Sequence, residues 1–223
     1  MLKVAFALDV RDTVATYEIP YGSIQRSTQW RNSWDSAKVE VPAQRWADLS
    51  QDDYGVSLLT RSKYGFDIKG NTMRLSLLRS PKWPDPTADR GKHSIEYALY
   101  PHAGRLEKAL VTRKGFEYNN PLIAVVTDRH KGKLPAQHSF VELQPANLVL
   151  TTLKKAEDSN AWIVQWYDAK GEQTDATLTL PNVPKRVLSS NALEEDGAPV
   201  SFKNNVVGVR TRKSGVTTLK ILY

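Results

Sequence analysis

The sequence predicts an all-β protein built from two consecutive β-sandwich domains. Short runs of alternating apolar and polar residues recur along the chain and are separated by glycine, proline and asparagine, the pattern typical of strands and turns. After residue 140 such runs follow one another about every dozen residues without intervening helices, which is typical of an antiparallel sandwich. Hydrophobic residues make up 40% of the 223 residues, enough for packed cores. We therefore expect a large β-sandwich over 1–140 and a smaller C-terminal one over 141–223.

The first domain shows its strands as period-2 alternation of apolar side chains. Gly70 and Asn71 form a two-residue turn typical of a hairpin, and glycines at 55 and 65 predict bulges or close backbone contacts. One short helix is expected over residues 105–117, because leucines recur at helical spacing before a stop at Asn119, Asn120 and Pro121. The predicted strands are residues 4–10, 13–19, 54–59, 64–69, 74–79 and 94–99. The segment that begins at Pro101 is expected to end the last of these strands.

The second domain follows a polar segment, residues 127–137, that reads as an exposed loop or linker because it is basic and contains glycine and proline. Turn-forming residues separate the strands that come after it. The predicted strands of this domain are residues 148–153, 161–167, 176–180, 206–210 and 217–222.

Three of the six tryptophans, Trp30, Trp34 and Trp46, lie between residues 27 and 48. Large aromatic side chains this close in sequence indicate a core or a domain contact, and we expect at least two of them in the core. The alternative is a sugar-binding surface, since an indole face matches the C–H side of a pyranose.

A long loop between the strands at 74–79 and 94–99 is the first candidate site. Pro81, Pro84 and Pro86 fix their own φ angles and restrict the preceding residues, so the loop is expected to hold one shape. An aromatic ring, carboxylates, a guanidinium and an imidazole on such a loop could bind a polar ligand. The alternative is a surface crossover whose charged groups are merely solvated. The side chains concerned are Trp83, Asp85, Asp89, Arg90 and His93.

Composition and motifs argue against several other classes of protein. The net charge is +7, but 31 basic residues are interleaved with 24 acidic ones, so a nucleic-acid partner is not expected. No apolar run reaches the ~18 residues of a membrane helix, and the absence of cysteine fits a reducing compartment. The four histidines lack metal-ligand spacing, and no nucleophile elbow or phosphate-binding loop is present. The sequence thus supports no catalytic residue, metal or cofactor in this chain.

A series of short motifs carries a resemblance to the C-terminal β region of family 38 glycoside hydrolases, which are retaining α-mannosidases. The cytosolic and bacterial branch is the most similar. The motifs occur in the same order and spacing over nearly the whole chain, and in the first domain they are residues 33–38 (SWDSAK), 44–50 (QRWADLS), 53–59 (DYGVSLL), 62–65 (SKYG), 74–79 (RLSLLR), 84–89 (PDPTAD) and 100–102 (YPH).

The resemblance implies a galactose-mutarotase-like supersandwich followed by a smaller sandwich. It also implies that the zinc, its ligands and the aspartate nucleophile belong to an N-terminal catalytic barrel that precedes this region. The expected partners are then that catalytic domain and a mannoside substrate, and an oligomer is permitted. Neither a nucleic acid nor a membrane is expected as a partner. The expected location is cytoplasmic. An apolar surface facing the barrel is expected, with the segment from Trp30 to Trp46 as the candidate.

The resemblance also bears on Arg90. In the family, an arginine in an Asp-Arg-Gly loop reaches the substrate near the zinc, and Asp89, Arg90 and Gly91 match that pattern here. The alternative is that Arg90 pairs with Asp89 or Asp85 and only holds the loop. The expected function is therefore a non-catalytic C-terminal part of an α-mannosidase that completes the substrate cleft, the alternative being a stand-alone carbohydrate-binding or protein-interaction module.

Overall fold

The structure, a computed structural model, describes residues 1–106 and 110–223. The chain forms two compact units, Met1–Leu122 and Ile123–Tyr223, and each contains two antiparallel sheets. Residues 121–141 form no helix or strand, and the units divide near the start of this segment, whereas the predicted boundary at 140 lies at its other end. The all-β prediction is confirmed.

The first unit is a sandwich of a four-stranded and a five-stranded sheet. The four-stranded sheet has the order β1-β8-β7-β4, and the five-stranded sheet has the order β3-β2-β5-β6-β9. The predicted Gly70–Asn71 hairpin is confirmed, since Lys69 pairs with Thr72 and Gly70 has a φ of 57°. The elements are β1 (Leu2–Ala7), β2 (Val14–Ile19), β3 (Gly22–Ser27), α1 (Ser33–Ala37), β4 (Val41–Pro42), β5 (Trp46–Ser50), β6 (Tyr54–Thr60), β7 (Gly65–Lys69), β8 (Thr72–Leu78), β9 (Tyr97–Ala103) and α2 (Val111–Asn119).

Both faces of the five-stranded sheet are covered, which explains why β5 is buried along its whole length. On one face its side chains pack against the other sheet, and the shared core includes Tyr17, Leu49, Leu58, Phe66, Met73 and Leu75. On the opposite face helix α2 covers a smaller cluster formed by Trp46, Leu59 and Val111. The helix therefore buries one face, through Val111 and Gly115, against the sheet and leaves the other face to solvent.

The tryptophan prediction is wrong in part. Only Trp46 is fully buried; Trp30 is half-buried, and Trp34 is 76% exposed. Burial follows the element that carries each ring: Trp46 lies on a doubly covered strand, while Trp34 lies on α1, a helix of five residues with no buried side chain. This helix was not predicted; Asn32 caps it by accepting a hydrogen bond from the backbone N–H of Asp35 (3.0 Å).

Two predicted boundaries also differ. Helix α2 begins at Val111, immediately after Leu110 adopts a left-handed conformation (φ 52°), and ends at Asn119; residues 107–109 of the predicted helix lie outside the described residues. Strand β9 starts later than predicted, at Tyr97, and continues through Pro101 to Ala103. Because β9 is an edge strand, the missing N–H of Pro101 does not interrupt a central ladder.

The second unit is a smaller sandwich of two four-stranded sheets, with the orders β10-β13-β16-β15 and β11-β12-β17-β14. Its core contains the fully buried Trp166, whose indole Nε1 donates to the hydroxyl of Thr211 (2.8 Å). All five predicted strands are present. The elements are β10 (Glu142–Gln144), β11 (Leu148–Lys155), β12 (Trp162–Asp168), β13 (Thr174–Thr179), β14 (Arg186–Ser190), β15 (Phe202–Lys203), β16 (Val206–Thr211) and β17 (Val216–Leu222).

Candidate functional site

The proline-rich loop, residues 79–96, joins β8 to β9 and thus crosses from one sheet of the first unit to the other. This crossing explains its length, because the two ends belong to different layers of the sandwich. At its C-terminal end the rings of Phe6 on β1 and Tyr97 on β9 lie 6.0 Å apart, so the edge strands of the two sheets are close at this side.

Hydrogen bonds within the loop hold its shape. The carboxylate of Asp89 accepts from the backbone N–H of Ser80 (2.7 Å), and both residues have left-handed φ angles, 60° and 51°. The carboxylate of Asp85 accepts from the backbone N–H (2.8 Å) and the hydroxyl (2.7 Å) of Thr87. The imidazole Nε2 of His93 donates to the carbonyl of Asp89 (2.9 Å). Asp85, Asp89 and His93 are therefore engaged inside the loop.

Trp83 and Arg90 differ from these three residues. The side chain of Trp83 is 85% exposed, and Arg90 is also exposed. Among the described residues no carboxylate forms an ion pair with Arg90, whose backbone N–H donates to the carbonyl of Thr87 (3.1 Å). The loop thus presents one guanidinium and one indole ring to solvent, and a backbone hydrogen bond fixes the main chain at Arg90.

The carboxylate of Asp85 is in its charged form at neutral pH. Hydrogen bonds from the hydroxyl and backbone N–H of Thr87 lower the pKa of Asp85 from its usual value. A guanidinium held at a fixed position can donate two parallel hydrogen bonds to vicinal hydroxyls or to an anionic oxygen pair. The structure brings the five predicted residues onto one loop, and their contact with a ligand stays a prediction.

A buried polar network at the centre of the five-stranded sheet was not predicted. Asp48 is 1% exposed, and its carboxylate accepts from the hydroxyls of Ser50 and Ser57, each at 2.7 Å. The Nε2 atom of His102 lies 2.8 Å from the same carboxylate, and its Nδ1 lies 3.0 Å from the carbonyl of Gly104. These contacts join β5, β6 and β9. Period-2 alternation puts residues 48 and 50 on one face, but it gives no sign that His102 lies beside them.

This network contains an aspartate, a histidine and two serines, yet it lacks the geometry of a hydrolytic triad. Both serine hydroxyls donate to Asp48 rather than to the imidazole, so neither is paired with the histidine that a triad uses as its general base. Gly55 confirms the predicted close contact: a Cβ there would lie 2.2 Å from the Cβ of Ser50 and 2.7 Å from the His102 ring. The network is a packed structural element.

Within residues 1–106 and 110–223, no three histidine, aspartate or glutamate side chains gather closely enough to hold a metal ion. The same part of the chain contains no helix of the length and apolarity needed to cross a bilayer. The residues described here therefore do not fit a zinc site.

Two family models match the chain. The "Glycosyl hydrolases family 38 C-terminal domain" matches residues 1–87, and the "Glycosyl hydrolases family 38 C-terminal beta sandwich domain" matches residues 147–220. The first match covers β1 to β8 and the start of the proline-rich loop, and the second covers most of the smaller sandwich. The two matches follow the order of the two units along the chain.

Relatives from several organisms give the same result. The chain is 37% identical over 215 residues to "Alpha-mannosidase G" of Dictyostelium discoideum, covering 92% of this chain and 19% of that protein. It is 40% identical over 196 residues to human "Alpha-mannosidase 2C1", covering 86% of this chain and 19% of the relative. It therefore spans about a fifth of the length of these relatives.

A solved structure shares the fold. The crystal structure of an alpha-mannosidase from Enterococcus faecalis V583 superposes with a TM-score of 0.80 at 18% identity, over 99% of this chain and 25% of that one. The resemblance drawn from the sequence motifs is thereby confirmed. By its family matches, its relatives and its fold, the chain belongs to glycoside hydrolase family 38 and corresponds to the C-terminal β region of that family.

Proposed function

We propose that this chain is the non-catalytic C-terminal part of an α-mannosidase and that it acts in the hydrolysis of α-mannosides. The proposal is supported by the names of the relatives and by the fraction of their length that the chain spans, about a fifth. The zinc that the family uses is assigned to the catalytic domain, since the described residues here form no metal-binding cluster. A cytoplasmic location is part of the proposal, and the absence of cysteine fits it.

The proposed contribution to the substrate cleft depends on Arg90. The observation that carries it is an exposed guanidinium with no ion pair among the described residues, on a loop whose shape is held by Asp85 and Asp89. Because the loop is already ordered, its backbone loses little conformational entropy when Arg90 binds a substrate hydroxyl. Trp83 would add an apolar ring beside it.

The proposed contribution to the stability of the catalytic domain depends on exposed apolar side chains. On the first unit, Leu2, Tyr97 and Leu99 are exposed on the edge strands β1 and β9. On the second unit, Ile123 and Val126 are almost fully exposed. Apolar surfaces of this kind are typical of contacts with another protein domain. Trp34 is a further exposed aromatic ring, and the segment from Trp30 to Trp46 therefore stays a candidate for contact with the catalytic domain.

The isolated chain is expected to fold but not to hydrolyse aryl α-mannosides, with or without added zinc. The reason is that the described residues offer neither a metal-binding cluster nor an activated nucleophile. The measurement is release of nitrophenol by the pure chain, with a complete family 38 enzyme as the positive control. Zinc-dependent turnover that co-purifies with the chain would contradict the proposal.

In the complete enzyme, Arg90→Ala is expected to lower kcat/KM by about 10- to 100-fold, the effect of losing a charge-assisted hydrogen bond of ~1.5–3 kcal/mol in the transition state. Thermal stability should hardly change, because Arg90 is exposed and forms no ion pair among the described residues. The measurements are steady-state kinetics and the unfolding temperature.

Lys82→Ala is a matched control, since Lys82 is an exposed cation on the same loop and also lacks an ion pair among the described residues. It should leave kcat/KM unchanged. A loss of stability in Arg90→Ala that precedes any loss of activity would show that Arg90 only holds the loop.

A further inference from the structure

A cleft of about 360 Å³ opens between β3 and β4 in the first unit. These are the edge strands of the two sheets at one side of the sandwich. The segment that contains α1 connects them and also lines the cleft. The proline-rich loop leads into β9, the edge strand at the other side of the five-stranded sheet, so the cleft is separate from that loop. The side chains that could contact a ligand here are Tyr17, Gln25, Arg26, Trp30, Asp35 and Lys38.

The lining of this cleft carries a net positive charge. Among the described residues, neither Arg26 nor Lys38 forms an ion pair with a carboxylate. The Arg26 guanidinium lies 4.8 Å from the centroid of the Tyr17 ring, and its buried Nη1 has no hydrogen-bond partner in the same part of the chain. The one carboxylate of the lining, Asp35, accepts from the backbone N–H of Arg31 (3.0 Å). Two cations thus stand against one carboxylate, which favours an anionic ligand.

One aromatic ring is available to a ligand in the cleft. Trp30 is half-buried, and the ammonium of Lys69 lies 3.8 Å from its ring centroid, so one face of the indole is covered and the other remains. Tyr17 is 2% exposed beneath the Arg26 guanidinium and therefore supports that cation from the core. An indole ring matches the C–H face of a sugar ring, and the amide of Gln25 can donate to and accept from hydroxyls.

We propose that this cleft binds a saccharide of monosaccharide size that carries an anionic group, a phosphate or a carboxylate. Arg26 and Lys38 would bind the anionic group, while the ring of Trp30 and the amide of Gln25 would contact the sugar. The cleft volume lies in the range of small-molecule sites. A bare inorganic anion would leave the Trp30 ring without a partner, and a neutral sugar would leave the two cations unpaired. The site is distinct from the proposed contact of Arg90 with the mannoside.

The test is isothermal titration of the 223-residue chain, at low ionic strength, with four probes: mannose 6-phosphate, glucuronate, mannose and inorganic phosphate. At least one of the two charged sugars is expected to bind, and to bind at least about 10-fold more tightly than mannose or phosphate. Comparison of mannose 6-phosphate with glucuronate identifies whether the phosphate or the carboxylate is preferred.

Arg26→Gln should weaken that binding by about 10-fold or more, because it removes the charge-assisted hydrogen bonds to the anion. Trp30→Ala should weaken it through loss of the ring contact. Arg113→Gln is the matched control, since it removes one exposed arginine from α2 on the same unit and should leave the affinity unchanged. Thermal unfolding of each variant establishes that it is folded, and Lys38→Gln replaces Arg26→Gln if the latter fails to fold.

Absence of binding by both charged sugars would overturn the proposal. Phosphate or mannose binding as tightly as the charged sugars would overturn it too, as would an affinity insensitive to Arg26→Gln and Lys38→Gln. The assay involves no turnover, so a negative result here leaves the Arg90 kinetics unaffected, and a negative result for Arg90 leaves this site unaffected.

Discussion

Trp46→Ala is expected to lower the free energy of unfolding of the first unit by about 3–5 kcal/mol, the range for truncation of a fully buried tryptophan. Trp46 is 0% exposed and packs with Leu59 and Val111 between the five-stranded sheet and α2. The space cannot close easily, because the helix already approaches the ring closely: a Cβ on Gly115 would lie 2.7 Å from its Cδ1. Urea unfolding of the chain, followed by far-UV circular dichroism, measures the effect.

Trp34→Ala is the matched control for Trp46→Ala, because it removes the same side chain at an exposed position twelve residues earlier in the sequence. At 76% exposure Trp34 has few contacts to lose, so the change should stay within about 0.5 kcal/mol. A comparable loss in both variants would mean that Trp34 is buried in solution, and a loss below about 1 kcal/mol in Trp46→Ala would contradict the helix packing.

Asp48→Ala is expected to destabilise the same unit by a similar amount, about 3–5 kcal/mol. The carboxylate is the common acceptor for Ser50, Ser57 and His102, and its loss leaves three buried polar groups without this partner. The imidazole of His102 is 2% exposed, so water cannot readily take the place of the carboxylate. The same urea experiment measures this change.

Asp52→Ala serves as the comparison for Asp48→Ala. The carboxylate of Asp52 is 93% exposed and lies 2.8 Å from the Nε of Arg105. Exposed ion pairs contribute about 0–1 kcal/mol, so this variant should be almost as stable as the parent. If Asp48→Ala unfolds at the same urea concentration as Asp52→Ala, the buried network does not hold β5, β6 and β9 together.

Three of the motifs that identified the family meet at the Asp48 network. The segment 44–50 (QRWADLS) contains Asp48 and Ser50, and the segments 53–59 (DYGVSLL) and 100–102 (YPH) contain Gly55, Ser57 and His102. Their role is to fix β9, the strand into which the proline-rich loop leads. The motifs thus anchor β9 near its C-terminal end, whereas the loop enters the strand at Tyr97.

The sequence by itself determined the class of the fold, most strands and the family. These features follow from local rules: alternation of apolar side chains marks a strand, the dipeptide at 70–71 marks a hairpin, and prolines at 81, 84 and 86 mark a stiff loop. The spacing of the histidines and the interleaving of acidic and basic residues, which argue against a metal site and a nucleic-acid partner, are likewise read along the sequence. Each of these signals is read within a few neighbouring residues.

Only the tertiary structure decided which side chains are buried and which of them meet. Trp34 and Trp46 look alike in sequence, but one lies on a single exposed helical turn and the other on a strand covered from both sides. His102 reaches Asp48 across 54 positions of sequence, and the cleft at Arg26 is lined by residues of β3 and β4, the edge strands of two different sheets. Burial and polar pairing depend on how sheets stack and which strands lie at their edges, and period-2 alternation carries no information about either.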